Sequence, residues 1–164
     1  MSELPIVMFI FFLIILFPLI NLVAVAMASC TVYFGTLQAL NRASRQPDYP
    51  TSLNAFQTAA SEFNASGLAT FLRISPNGGY MACGQDLQIV ETPVNGGAST
   101  EYTPNTAMPG KPDTTANMYE YKGSSVYQVA PFINLGFVPF IASAGMMLMG
   151  AGLVILPELL RSEE

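Results

Sequence analysis

The chain has no histidine and no tryptophan, and only a tenth of its residues are charged. Residues 4–41 carry no charge at all. Without histidine it lacks the side chain that most often acts as a base near neutral pH, and imidazole ligation of haem, chlorophyll or zinc is excluded. Its two cysteines, Cys30 and Cys83, are too far apart in sequence to form a zinc site. Six basic residues against eleven acidic ones leave a net charge of −5 with no basic cluster. That composition gives no electrostatic footprint for nucleic acid and disfavours an anionic lipid surface as partner for the polar domain. The glycine pairs at Gly78-Gly79 and Gly96-Gly97 lack the Lys-Ser/Thr that follows a phosphate-binding loop, and they read as turns. No ionisable residue interrupts the apolar runs, which argues against a proton or ion pathway. No catalytic residue, metal-ligand set or cofactor is expected, and the chain is not expected to be an enzyme.

What is present instead is apolar length. Residues 5–28 are apolar apart from Asn21, and about 20 such residues suffice for a helix to cross a bilayer. No proline or glycine interrupts residues 21–34. Arg42 and Arg45 suit the negative end of a helix, and Pro47 and Pro50 then stop it. One helix over residues 4–45 would be roughly 60 Å long at about 1.5 Å per residue. That is twice the hydrocarbon thickness, so its second half must emerge and pack on something. The organisation expected is a long N-terminal helix with a transmembrane anchor over residues 1–46, an extracytoplasmic α+β domain over 47–130, and an apolar C-terminal segment over 131–164. The apolar N-terminal run is too long for a cleaved signal and has no basic residues before it, so it is expected to be retained.

Within the helix, Pro18 is expected to make a membrane kink. Asn21, one turn on, needs a partner for its amide, and local satisfaction in the kink is favoured over a neighbouring helix. Ala24, Ala28, Thr31, Gly35, Ala39 and Ala43 recur every three or four residues and form one small-residue face. Such faces let helices approach closely in membranes, and in the emerged half the same stripe could receive a small sheet. Cys30 would sit near the outer end of the span. A disulfide with Cys83 would staple the domain to its anchor on an oxidising side; two free thiols are the alternative.

The polar middle predicts a short helix over residues 53–63 with Thr51 or Ser52 as N-cap. Strand pieces follow over 70–74, 80–83 and 87–91, then a long surface loop over 95–117, then strands over 119–122 and 125–130. Residues 123–157 again lack charge. Residues 140–156 are just long enough for a second transmembrane helix, the favoured reading. Two buried strands, over 131–140 and 146–156, are the other.

The Leu16-Phe17-Pro18-Leu19 step, the helix ending Leu37-Gln38-Ala39-Leu40-Asn41-Arg42-Ala43-Ser44-Arg45, the segment from Val126 to Phe132, and the end from Arg161 to Glu164 together resemble TadE-like proteins, pilin-like components of tight-adherence pili. The resemblance covers the first 45 residues well and the rest loosely. It implies a non-enzymatic subunit anchored in a bacterial inner membrane with its polar domain extracytoplasmic. Its partners would be the lipid bilayer and other pilin-like or membrane subunits, contacted through the N-terminal helix, and its role pilus assembly or adhesion. The chain departs from the family pattern in having no basic residue before the helix and only Glu3 as an early acid. Arg42 and Arg45, lying after the span, taken alone favour the N-terminus outside. The alternative is an accessory structural subunit of a large respiratory or photosynthetic membrane complex, with two transmembrane helices bracketing the polar domain.

Overall fold

A computed structural model describes residues 3–110, 113–133, 153–155 and 158–162. The apolar N-terminal run forms one continuous helical rod of 40 residues, Leu4–Ala43. It runs through α1 (Glu3–Phe11, which starts one residue earlier), a π-helical turn (Phe12–Leu16) and α2 (Phe17–Ala43). Pro18 falls in the first turn of α2. A proline lacks the N–H for an i→i−4 bond and its ring crowds that carbonyl. The wider π turn just before it absorbs this, with the Phe17 N–H bonding to the Phe12 carbonyl. The expected disturbance at Pro18 therefore takes the form of a change in helix winding.

The rod ends where the sequence predicts, and the chain reverses into α3 (Tyr49–Asn64). Asp48 occupies the N-cap position and Pro50 sits in the first turn, where its missing N–H is harmless. Ser52, expected as an N-cap, is one turn inside α3. Its buried hydroxyl donates to the Ala43 carbonyl at 3.0 Å, satisfying one of the orphan acceptors at the end of α2. The Tyr121 hydroxyl donates to Ser52 Oγ at 3.2 Å, so one serine fastens both helices to the sheet.

The strand expected over 70–74 is replaced by α4 (Gly67–Phe71) followed by β1 (Ile74–Pro76). Ser66 starts α4, its side chain accepting from the Ala69 N–H at 3.2 Å, and that cap overrides the β-branched and aromatic residues behind it. Residues 80–83 also depart from expectation, with a 3₁₀ turn (Tyr80–Ala82) in place of a strand.

The main sheet is antiparallel, in order β3-β2-β4-β7: β2 (Gln85–Pro93), β3 (Thr100–Glu101), β4 (Asn117–Ser125) and β7 (Glu158–Ser162). A smaller sheet runs β1-β5-β6, with β5 (Tyr127–Val129) and β6 (Leu153–Ile155). β6 corrects the favoured C-terminal reading. Leu153–Ile155, at the end of the run expected as a second transmembrane helix, pairs with β5 as a strand. The rest of that run, and most of the alternative strands over 131–140 and 146–156, lie outside the described residues. β7 pairs with β4 over Glu120↔Ser162 to Ser124↔Glu158, so the chain end joins the same sheet as β2.

Two apolar clusters hold the domain to the rod. The upper one joins Ala39, Leu40 and Ala43 to Phe56 of α3 and to Leu87, Ile89 and Tyr121 of the sheet. The lower one joins Ala28 and Val32 to Ala69, Leu72, Ile74, Tyr127 and Val129. Both cross the expected boundary at residues 46–47, so the upper half of the helix is the spine of the domain's own core.

Candidate membrane and assembly interface

The rod has two surfaces with opposite fates. From Leu4 to Ile20 no side chain is buried, and Leu4, Ile6, Val7, Phe9, Ile14 and Ile15 are all exposed. The first buried residue is Asn21. From there Asn21, Ala24, Ala28, Val32, Gly35, Thr36, Ala39, Leu40 and Ala43 are buried along one face. Five of the six predicted small-residue positions are in this set; Thr31 is half-buried at its margin, its hydroxyl bonded to the Met27 carbonyl at 2.8 Å. The face is covered by the chain's own domain, so the stripe is occupied and cannot also be the contact to a neighbouring subunit. The sequence reading missed Val32, Thr36 and Leu40. Val32, Thr36 and Leu40 follow Ala28 at successive four-residue steps, and that spacing was the available signal.

The need for small residues is geometric. A Cβ on Gly35 would lie 2.6 Å from the Phe63 ring. A Cβ on Gly123 in β4 would lie 3.0 Å from the Leu40 side chain. Helix–helix and helix–sheet packing each depend on one missing side chain.

Asn21 is not satisfied within the proline region, contrary to expectation. Its Nδ2 donates to the Ile133 carbonyl at 2.9 Å, and its Oδ1 accepts from the Ile133 N–H at 3.0 Å. The partner lies 112 residues along the chain. Close by, Arg73 donates to the Pro131 carbonyl at 2.8 Å and its guanidinium lies 5.6 Å from the centroid of Phe132. The Phe132 ring meets that of Phe71 edge-on, with centroids 5.4 Å apart.

The cysteines do not pair. Cys30 is exposed on α2 and Cys83 is buried, and both thiols are free. Burial pushes the Cys83 thiol above its ordinary range. Beside it, the fully buried Tyr127 donates to the Cys83 carbonyl at 3.1 Å and accepts from Gln85 Nε2 at 3.0 Å. Burial raises the Tyr127 pKa. Tyr49 donates to the Leu87 carbonyl at 3.2 Å; burial first, then the neighbouring Tyr121 and Tyr80, push it up to about 12.

The carboxylates serve as fasteners. Glu91 accepts from Tyr102 and from Tyr119, and the first of these bonds is the main reason Tyr102 is raised. Asp86 accepts from Asn105 at 2.6 Å, and Asn105 in turn accepts from the Leu87 N–H at 2.9 Å. These bonds pin the loop after β3 to β2. A cavity of about 360 Å³ lies between this loop and the start of α3, with Tyr49, Ile89, Met108, Tyr119 and Tyr121 among its walls. Among the described residues no three His, Cys, Asp or Glu side chains gather where they could hold a metal ion.

The rod is long and apolar enough to cross a membrane by length and composition. No protein-family model, no curated protein and no solved structure matches the chain.

Proposed function

We propose that the chain is a non-enzymatic, membrane-anchored structural subunit of pilin-like build, acting through packing of its N-terminal helix against like subunits in surface pilus assembly or adhesion. The observation that carries this reading is the division of one rod into a bare half and a half that forms the spine of a small α+β domain. Leaving a large aliphatic or aromatic side chain in water forgoes about 1.5–3 kcal/mol relative to burial. The bare stretch displays many of them, a surface suited to hydrocarbon or to other helices. Residues 4–20 cover roughly 26 Å at about 1.5 Å per residue, close to the thickness of a bilayer's apolar core. We put the domain on the extracytoplasmic side, in keeping with its lysine-poor, Thr- and Asn-rich composition.

With the small-residue stripe occupied internally, contacts between subunits fall to the uncovered surface. That surface comprises residues 4–20 and, above them, Leu22, Val23, Met27 and Phe34, all exposed. A photo-crosslinking side chain at Ile14 or Val23, in cells making the full chain, tests this. Crosslinks between copies of the chain support the reading. Crosslinks exclusively to different proteins would overturn it in favour of an accessory subunit of a larger membrane complex.

A further inference from the structure

We infer that the end of the domain built from α4, Arg73 and residues 131–133 is a foot that rests in the headgroup layer of the bilayer. Phe71 and Phe132 would dip toward the acyl chains and Arg73 would meet lipid phosphate. The inference deepens the proposed anchoring and rests on residues 4–20 crossing the membrane.

The height of this end is fixed by the Asn21–Ile133 pair. Asn21 follows directly on the bare stretch, so Ile133 is held at the level where hydrocarbon ends. Phe132 is its chain neighbour, with Cα atoms about 3.8 Å apart, and Phe71 packs on Phe132. Phe71 is 62% exposed and Leu68, one turn earlier on α4, is 51% exposed. Two such large apolar side chains on a five-residue helix have no cover among the described residues. Exposed phenylalanine and leucine side chains beside a cation suit the boundary between headgroups and acyl chains.

The charge pattern agrees. The domain is acidic overall, yet between Glu62 and Asp86 the single charge is Arg73, and none follows from Gly123 to Pro157. The foot therefore presents one cation and no carboxylate of its own. Arg73 is held at φ +54°, a left-handed conformation at the end of α4 that usually falls to glycine. Its backbone is locked there by two bonds, the Arg73 N–H to the Thr70 carbonyl and the Ala130 N–H to the Arg73 carbonyl. A guanidinium can keep one N–H on the Pro131 carbonyl and still offer others to a phosphate oxygen.

The absence of tryptophan makes the test direct. The full chain with Phe71→Trp, and separately with Leu68→Trp, is reconstituted into vesicles of phosphatidylcholine and phosphatidylglycerol carrying brominated acyl chains. Phe9→Trp serves as the reference for the span and Val94→Trp for the far end of the domain. The expected result is strong quenching at position 71 by lipids brominated near the headgroup, weaker quenching at 68, quenching at 9 by deeply brominated lipids, and none at 94. Arg73→Gln should reduce quenching at 71 more in vesicles with phosphatidylglycerol than in those without it. Quenching at 9 with none at 71 or 68 would overturn the foot while leaving the anchor intact. No quenching at 9 would overturn the anchor and the foot with it.

Discussion

Asn21 binds both main-chain polar groups of Ile133, at 2.9 and 3.0 Å, and so ties the rod to a segment 112 residues away. A side-chain amide carries its donor and its acceptor on two separate atoms, so it can donate to the carbonyl and accept from the N–H of one residue at once. This pair sets where the covered half of the helix begins. Asn21→Leu removes both bonds and leaves two main-chain groups without their partner, at a cost of about 1–3 kcal/mol. Hydrogen exchange resolves the effect: the Ile133 amide should lose protection while amides in β2 and β4 keep theirs.

Gly35 gives a second test. Alanine is worth about 1 kcal/mol more than glycine inside a helix. Here the added methyl would meet the Phe63 ring at 2.6 Å, and overpacking costs about 1–3 kcal/mol. Gly35→Ala should therefore be net destabilising. Combining it with Phe63→Leu, which withdraws the ring, should recover stability relative to Gly35→Ala alone in thermal unfolding in detergent.

The tyrosines predict an alkaline transition. Tyr49 in the folded chain has its pKa near 12, above the ordinary value of about 10. The folded state thus holds this proton more tightly than the unfolded state. Its contribution to stability is complete below about pH 10 and disappears as pH rises through about 12. Tyr127 acts in the same direction. Tyrosinate absorbance followed against pH should show these two groups ionising late and together with unfolding. Tyr49→Phe should move the unfolding midpoint to higher pH. Tyr127→Phe should lower stability by about 1–3 kcal/mol already at neutral pH, because it strands the buried Gln85 Nε2 and removes one of the two bonds to the Cys83 carbonyl, which keeps its bond from Asn64.

Thiol reactivity separates the two cysteines. Cys30 is exposed and Cys83 is buried with its thiol donating to the Gln85 carbonyl at 3.4 Å. A maleimide in mild detergent should modify Cys30 in the folded chain and Cys83 only on unfolding. Rapid modification of both would contradict the packing around Tyr127.

The rod and its stop were legible because an uncharged run, two terminal arginines and two prolines act locally. The small-residue stripe was legible as a packing face, but its partner was not. Periodicity shows that a face is covered and not whether the cover comes from the same chain. The Asn21–Ile133 pair was half legible: a lone amide in an apolar run needs a partner, but nothing in the sequence points to Ile133, 112 residues on. The α4 segment misled because Thr70, Phe71 and Ile74 favour strands, while a single cap at Ser66 and a left-handed Arg73 decide the conformation. The C-terminal run misled for a related reason: Leu153, Val154 and Ile155 suit a membrane helix and a strand equally, and pairing with Tyr127–Val129 selects the strand.

The central claim is a single anchor carrying one domain, and membrane sidedness tests it most directly. In a background of Cys30→Ser and Cys83→Ala, single cysteines are placed at Val94 and at Ser162 and challenged with a membrane-impermeant thiol reagent in intact cells. Because β7 pairs with β4 in the sheet that also contains β2, both positions should react from the same, outer side. Labelling of the two positions from opposite sides would contradict the account, separating the chain end from the sheet and requiring a second crossing between them.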